Sequence, residues 1–272
     1  MTKRLSTMVE ANGTQLYYEI KGAGPALLFI PGAEGDAEEY ARVEGLLQGD
    51  FTIISYDRRA FCRSPRPEGY TATNVEEQAD DAAAIIEATG LGPVTVWGNS
   101  SGAIIGLALL LRHPEVVSGA MLHEPPLFAG AEDAAGVLAW LKQSTAEGKV
   151  PFLKMLTGDQ IYSEFSEGYK ERLAADCTWI DHEFDVFEYF RPSDEDLAAV
   201  TIPVVVLCGA DSAPFFMQAA TWLAERLSTT VQVMPGNHGV HYSQPDEVAK
   251  IIRDFAADDE DGSEANHKPR RY

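Results

Sequence analysis

Short, continuous apolar segments recur along the chain and are separated by stretches with helical periodicity. Segments of this length suit strands that are buried on both faces, as in a parallel sheet. Before them, polar and apolar residues alternate around Asn12-Gly13, which predicts an antiparallel hairpin between residues 8 and 20. Further strands are predicted at residues 26–30, 51–56, 94–97, 119–123, 204–208 and 231–234. Strands that alternate with helices predict an α/β fold with a mostly parallel sheet.

Helix signals fall between these strands. Asn74 precedes a helical pattern over residues 75–89 and Gly90 follows it, and both residue types are typical of helix ends. Asp36 is predicted to cap the preceding helix in the same way. A later segment, residues 103–112, is apolar nearly all round, which predicts a buried helix. The other predicted helices cover residues 36–47, 215–227 and 245–256.

The pattern changes between residues 126 and 192, where helical segments rich in aromatic residues replace the strands. We predict that this segment is a helical cap over the carboxyl ends of the strands, where open α/β sheets bind ligands. Residues 1–125 and 193–257 would then form the core. Residues 258–272 are charged and lack periodicity, which predicts a disordered tail.

The composition limits the classes of function. The 272 residues carry a net charge of −21, so the surface would repel phosphate backbones and anionic membranes. No apolar run approaches the ~20 residues of a membrane-spanning helix, and no signal peptide is recognisable. Cys62, Cys177 and Cys208 have neither disulfide nor metal spacing, which favours a reducing compartment. We expect a cytoplasmic protein that binds neither nucleic acid nor membrane and needs no metal or cofactor, with a homodimer as one possible assembly.

The sequence Gly98-Asn99-Ser100-Ser101-Gly102 lies between a predicted strand and a predicted helix. In a G-x-S-x-G turn the small outer residues let strand and helix approach each other, and the strained serine projects its hydroxyl into a cleft. Ser100 is therefore predicted to be a nucleophile. An oxyanion hole would use the backbone N–H of Ser101 and that of Ala33, in the loop after the strand at residues 26–30.

A serine nucleophile needs a base and an orienting acid. His238 follows the last predicted strand, as the order nucleophile, acid, base requires, and it is preferred over His241 and His123. Two carboxylates compete for the role of the acid. Glu124 and Asp211 both follow predicted strands, so both could approach the His238 ring.

These motifs resemble the α/β-hydrolase superfamily, which implies an eight-stranded, mostly parallel sheet flanked by helices with a helical cap insertion. The resemblance rests on Pro31-Gly32-Ala33, Tyr56-Asp57-Arg58-Arg59, Gly98–Gly102, Gly209-Ala210-Asp211-Ser212 and the segment from His238 to Pro245. The chain departs from the usual pattern in three places. Pro31 replaces a histidine, Ala60 and Cys62 replace glycines, and Asp211 comes one residue early after Gly209.

A closer resemblance is to the zearalenone lactone hydrolases, carried by residues 96–103 and by His123-Glu124-Pro125-Pro126. In that family the acid is the glutamate of the second motif, 24 residues after the serine, and Glu124 has the same spacing from Ser100. The resemblance therefore favours Glu124 over Asp211 as the acid. It also implies that Trp179 contacts substrate from the cap.

The sequence thus predicts a serine esterase or lactonase with a Ser100-His238-Glu124 catalytic triad that acts on a hydrophobic small-molecule ester or lactone. A zearalenone-type lactonase is the most specific form of this prediction. The alternatives are a C–C bond hydrolase or cofactor-free oxygenase that uses the same serine and histidine, and a ligand receptor that keeps the fold without catalysis.

Overall fold

A computed structural model describes residues 5–175 and 187–262. Eight strands form one sheet in the order β1-β2-β4-β3-β5-β6-β7-β8. The strands are β1 Leu5–Ala11, β2 Thr14–Gly22, β3 Ala26–Ile30, β4 Thr52–Tyr56, β5 Val94–Asn99, β6 Val117–His123, β7 Val204–Gly209 and β8 Val231–Met234. Strand β2 pairs antiparallel with β1 and β4, and all other neighbours are parallel. The predicted mostly parallel sheet and its leading hairpin are confirmed.

Helices connect most of the parallel strands. They are α1 Ala41–Leu47, α2 Val75–Thr89, α3 Ser101–Arg112, α4 Ala134–Thr145, α5 Lys149–Ser163, α6 Glu167–Ala175, α7 Asp194–Ala198, α8 Pro214–Arg226, α9 Val240–Ser243 and α10 Pro245–Gly262. The ends of α2 are as predicted. Asn74 Oδ1 accepts a hydrogen bond from the Glu77 amide at 2.6 Å, and Gly90 has the left-handed φ of 66° that suits glycine after a helix.

Two predicted boundaries are wrong. Helix α1 begins at Ala41 rather than after Asp36, because the Asp36 carboxylate accepts hydrogen bonds from Arg63 and Arg172 and from the Glu38 amide within a turn. Helix α10 continues to Gly262, so residues 258–262 are helical rather than part of a disordered tail. No proline interrupts this stretch, and Gly262 is its first glycine. The remainder of the predicted tail, residues 263–272, lies outside the described residues.

Two hydrophobic layers cover the faces of the sheet. Helices α2, α3 and α8 pack on one face, and α1 and α10 pack on the other. Helix α3 is buried over nearly its whole length, in agreement with its apolar sequence. Because α3 follows β5 at the centre of the sheet, its first residue lies where the carboxyl ends of the parallel strands meet.

The described residues between β6 and β7 contain no strand. Helices α5 and α6 share a small apolar cluster with Tyr242 of α9, formed by Leu153, Phe165, Tyr169, Leu173 and Tyr242. Arg172 of α6 reaches Asp36 in the loop after β3, so this insert packs over the ends of the strands. Among the described helices, none has the length and apolar character needed to cross a membrane.

Candidate active site

Ser100 lies at the sharp turn between β5 and α3. Its backbone has φ 56° and ψ −125°, a strained conformation for a residue with a side chain. A Cβ on Gly98 would meet the Gly102 carbonyl, and a Cβ on Gly102 would meet the Ile30 carbonyl. Glycine is therefore required on both sides of Ser100, because strand and helix backbones are in direct contact there.

The two residues predicted to supply the oxyanion-hole amides line the same cavity as Ser100. Ser101 is the first residue of α3, and Ala33 lies in the loop after β3; both line the cavity. Within the described part of the chain, neither amide has a hydrogen-bond acceptor. Unoccupied amides at a helix N-terminus and an adjacent loop are suitable donors to a developing oxyanion.

His238 lies in the loop after β8, and its ring is bound to Glu124. The Nδ1–H of His238 donates to Glu124 Oε2 at 2.6 Å, and the Gly209 amide donates to Glu124 Oε1 at 2.6 Å. Glu124 is fully buried and has a left-handed φ of 48° directly after β6. A buried carboxylate in this position fixes the tautomer of the imidazole and leaves Nε2 as the basic nitrogen.

Opposing effects determine the pKa of Glu124. Burial alone would raise this pKa. The hydrogen bond from His238 and the proximity of His123 lower it by more than burial raises it, so the pKa of Glu124 falls to about 2. Glu124 is therefore ionised throughout the neutral range and can stabilise an imidazolium at His238.

Asp211 is exposed on the wall of the cavity. Its amide donates to the Gly236 carbonyl at 2.9 Å in the loop that carries His238. Of the carboxylates in the described ranges, Glu124 alone is hydrogen bonded to the His238 ring. The structure thus brings Glu124, and not Asp211, against the imidazole.

The two other candidate histidines occupy different environments. His123 is fully buried; its Nδ1–H donates to Asn99 Oδ1 at 2.6 Å, and burial lowers its pKa to about 4. His241 is buried against Tyr40 and Tyr242, and burial lowers its pKa well below the ordinary value. Both rings are therefore neutral near pH 7.

Phe216 is a residue of this site that the sequence analysis missed. Its ring stacks on that of His238, with centroids 4.2 Å apart and an angle of 18° between the planes. The sequence pattern places residue 216 in a predicted helix and gives it no role in the site. Its place in the first turn after the loop with Asp211 was the available signal, since that loop borders the site.

The cavity has a volume of about 180 Å³ and is mostly apolar. Ser100 and His238 lie in its wall together with apolar side chains from the insert and the core: Pro126, Phe128, Leu141, Phe152, Leu156, Phe187 and Phe216. Trp140 and Met155, both partly exposed, also border it. Trp179, the predicted substrate contact, lies outside the described residues.

Three potential metal ligands, Asp36, Asp57 and Cys62, come within 4.8 Å of one another in the neighbouring loop. Arg63 pairs with both carboxylates, and Arg172 pairs with Asp36. Burial and the nearby Asp36 raise the pKa of the Cys62 thiol, so it stays protonated. The cluster is already neutralised by arginines and does not offer a vacant set of anionic ligands.

The fold and the elbow at Ser100 define the class of the protein. Residues 25–178 match the model of the α/β hydrolase fold family, and the chain belongs to this family. It is 29% identical to an uncharacterised hydrolase, YraK, of Bacillus subtilis (strain 168). The 258 aligned residues cover 91% of this chain and 94% of the relative.

The chain is also similar to the zearalenone hydrolase of Bionectria ochroleuca. The two are 25% identical over 260 residues, 91% of this chain and 96% of the relative. Among solved structures, E-2-(acetamidomethylene)succinate hydrolase superposes with a TM-score of 0.75 at 19% identity, covering 94% of this chain and all of that one. The similarity to zearalenone hydrolases expected from the sequence is confirmed.

Proposed function

We propose that the protein hydrolyses a carboxylic ester or lactone of a hydrophobic small molecule, with Ser100 as nucleophile, His238 as base and Glu124 as the orienting acid. The observation that carries the proposal is the 2.6 Å hydrogen bond between His238 Nδ1 and the buried Glu124, at a cavity that Ser100 also lines. A histidine oriented in this way at the same cavity as a half-buried serine on a strained turn is suited to acyl transfer.

In the proposed reaction the Ser100 hydroxyl attacks the substrate carbonyl while His238 Nε2 takes its proton. The Ala33 and Ser101 amides donate to the oxyanion of the tetrahedral intermediate. As the intermediate collapses, His238 delivers the proton to the leaving alcohol, or to the ring oxygen of a lactone. A water molecule, deprotonated by His238, then attacks the acyl-enzyme and releases the carboxylic acid and Ser100.

The cavity wall supports an apolar substrate. Aromatic and aliphatic side chains form most of it, and such walls bind apolar ligands by excluding water. The similarity to zearalenone hydrolases along 91% of this chain makes a zearalenone-type lactone the first substrate to test. Trp179 remains a proposed contact for that substrate.

Three variants test the roles. Ser100→Ala and Glu124→Gln are expected to lower kcat on p-nitrophenyl esters and on zearalenone by about 10³-fold or more, because both groups act in one proton-transfer unit. Asp211→Asn is the matched control for the acid. It removes a carboxylate from the same cavity wall that has no hydrogen bond to His238, so we expect less than a threefold change.

Labelling with a fluorophosphonate, located by mass spectrometry, identifies the nucleophile independently of the substrate. The proposal predicts modification of Ser100 and its loss in Ser100→Ala. If Ser100→Ala turns over as fast as the wild type, the assignment fails. If Asp211→Asn loses far more activity than Glu124→Gln, the acid has been misassigned. Absence of both labelling and turnover would instead favour a non-catalytic receptor.

A further inference from the structure

Two buried side chains, Arg58 and Glu39, hold Gly32, the residue before Ala33, at both of its polar backbone atoms. Arg58 Nη1 donates to the Gly32 carbonyl at 2.6 Å, and the Gly35 amide donates to the same oxygen at 3.1 Å. The Gly32 amide donates to both carboxyl oxygens of Glu39, at 3.0 and 2.9 Å. Arg58 and Glu39 are each only 1% exposed. A hydrogen bond from a guanidinium is stronger than a neutral one in such a setting, so the Gly32 carbonyl, and with it the Gly32–Ala33 peptide unit, is firmly fixed.

Arg58 is itself held in place. Its Nε donates to Gln78 Oε1 at 2.7 Å, and its guanidinium lies over the Phe61 ring at 4.9 Å. These contacts come from α2 and from the loop after β4, so two elements set the position of the Nη1 that reaches Gly32. A planar guanidinium fixed along its length presents a donor in one defined direction.

The orientation of the Gly32 carbonyl determines where the Ala33 amide points. The two groups belong to one peptide unit, which is planar, and in the trans form its C=O and N–H point in opposite directions. The cis bond of the described chain is Gly92–Pro93, so the Gly32–Ala33 bond is trans. With the carbonyl directed at buried Arg58, the Ala33 N–H is directed away from it, and Ala33 lines the cavity.

The positive charge of Arg58, which donates to the Gly32 carbonyl, also polarises the Ala33 amide of the same peptide unit. Chains of hydrogen bonds strengthen one another in a low-dielectric interior, so a guanidinium on the oxygen makes the N–H a better donor. We therefore propose that Arg58 is a positioning residue that orients and polarises the Ala33 amide of the oxyanion hole. The inference rests on the proposed serine hydrolysis and deepens it.

A second carbonyl of the same loop, that of Glu34, is bound by a residue of the insert. Lys149, the first residue of α5, donates to the Glu34 carbonyl at 3.0 Å and is 3% exposed. The side chains of Arg58 and Lys149 thus bind the carbonyls of the residues immediately before and after Ala33. The loop that supplies the proposed oxyanion donor is therefore preformed rather than shaped by the substrate, which is the condition for electrostatic catalysis.

The test compares Arg58→Met and Arg58→Lys with the wild type on a hydrolysed ester. Arg58→Met should lower kcat by about 10- to 100-fold with less than a threefold change in KM, because the Ala33 donor acts mainly in the transition state. Its affinity for a boronic acid, which forms a tetrahedral adduct with Ser100, should weaken by a similar factor. Arg58→Lys should lower kcat and the boronic-acid affinity several-fold, since an ammonium cannot hydrogen bond to Gln78 and Gly32 in the same geometry.

Arg59→Met is the matched control. Arg59 is the neighbouring arginine, 4% exposed, and its Nε and Nη2 donate to the Asp81 carboxylate at 2.7 Å each, away from Gly32. Its replacement should reduce stability but leave kcat per fluorophosphonate-titrated site within threefold. Equal kcat and boronate affinity in wild type and both Arg58 variants would overturn the inference.

The outcomes separate the inference from the proposed function. If wild type and Ser100→Ala hydrolyse the ester equally, the proposed function fails and the inference fails with it. If turnover depends on Ser100 but not on Arg58, only the inference fails. If Arg58→Met does not fold, Arg58→Lys decides: several-fold losses in kcat and boronate affinity support the role, and unchanged values reject it.

Discussion

Glu124 and His123 are adjacent in the chain, and both have pKa values that connect stability to pH. Glu124 has its pKa depressed from 4.5 to about 2, and burial depresses that of His123 from 6.5 to about 4. In both cases the unfolded chain binds a proton that the folded chain does not. Each residue therefore destabilises the fold as the pH falls, His123 between pH 6.5 and about 4 and Glu124 between pH 4.5 and about 2.

We expect His123→Gln to reduce the pH dependence of unfolding between pH 6.5 and 4.5. Each proton taken up only on unfolding contributes a slope of about 1.4 kcal/mol per pH unit, and His123 supplies one such proton. His241, whose pKa burial also lowers, supplies another and stays in the variant. Urea unfolding at several pH values measures the slope. The slope of the variant should be smaller than that of the wild type by about 1.4 kcal/mol per pH unit.

Glu124→Gln serves as the comparison, because its effect belongs to a lower pH window. Its slope between pH 6.5 and 4.5 should stay close to that of the wild type, and the difference should appear below pH 4.5. Identical slopes for wild type and His123→Gln above pH 4.5 would contradict the neutral, buried state of His123.

Some residue assignments could be read from the sequence and others depend on distance. A G-x-S-x-G turn and a histidine after the last strand identify themselves, because chain order and small residues carry the signal. Glu124 and Asp211 could not be separated by spacing alone, since both follow strands at the same edge of the sheet. Phe216 lies in no motif, and the motif that contains Arg58 does not reveal its contact; only packing brings these two side chains to His238 and Gly32.

At the scale of elements, the contact between β3 and α3 determines the geometry at Ser100. The ideal Cβ of an alanine at Gly102 would meet the Ile30 and Pro31 carbonyl oxygens, which are backbone atoms that cannot rotate away. We expect Gly102→Ala to cost at least about 3 kcal/mol of unfolding free energy and to abolish ester turnover. Urea denaturation and the kcat of the folded fraction measure the two effects.

Gly45→Ala is the matched control, and the opposite sign is expected for it. Gly45 lies inside α1 with nothing within 4 Å of an added Cβ, so alanine should stabilise the helix by about 0.5–1 kcal/mol. Equal effects of the two substitutions would show that the strand and helix are not in the close contact that the elbow requires.

Element boundaries were predictable where local chemistry decides them. Asn74 and Gly90 fix the ends of α2 through their own backbone and side-chain preferences, and the prediction for α2 is confirmed. Helix α1 starts later than predicted because Asp36 is hydrogen bonded to Arg172, 136 residues away.

Ala60 and Cys62 adopt φ values of 65° and 49° where glycines were expected, so the loop keeps the left-handed backbone without the usual residue.

At the scale of the whole molecule, ion pairs connect the insert to the core. Arg172 of α6 donates to Asp36 and, at 2.7 Å, to Glu38, in the segment between β3 and α1. Asp36 is fully buried, whereas Arg172 is 22% exposed. Periodicity could predict that a helical insert exists, but not which of its charges meets a buried carboxylate in the core.

We expect Arg172→Met to lower the free energy of unfolding by about 2 kcal/mol. Removing one partner of a buried pair costs ~3–5 kcal/mol because the other charge is left uncompensated. The partial exposure of Arg172 and the remaining contact of Arg63 with Asp36 reduce that figure. Lys170→Met is the control on the same helix: Lys170 pairs with Glu167, which is 85% exposed, so its loss should cost less than about 0.5 kcal/mol. Urea unfolding compares the two variants, and equal losses would mean that Arg172 contributes no more than an ordinary surface pair to holding the insert on the core.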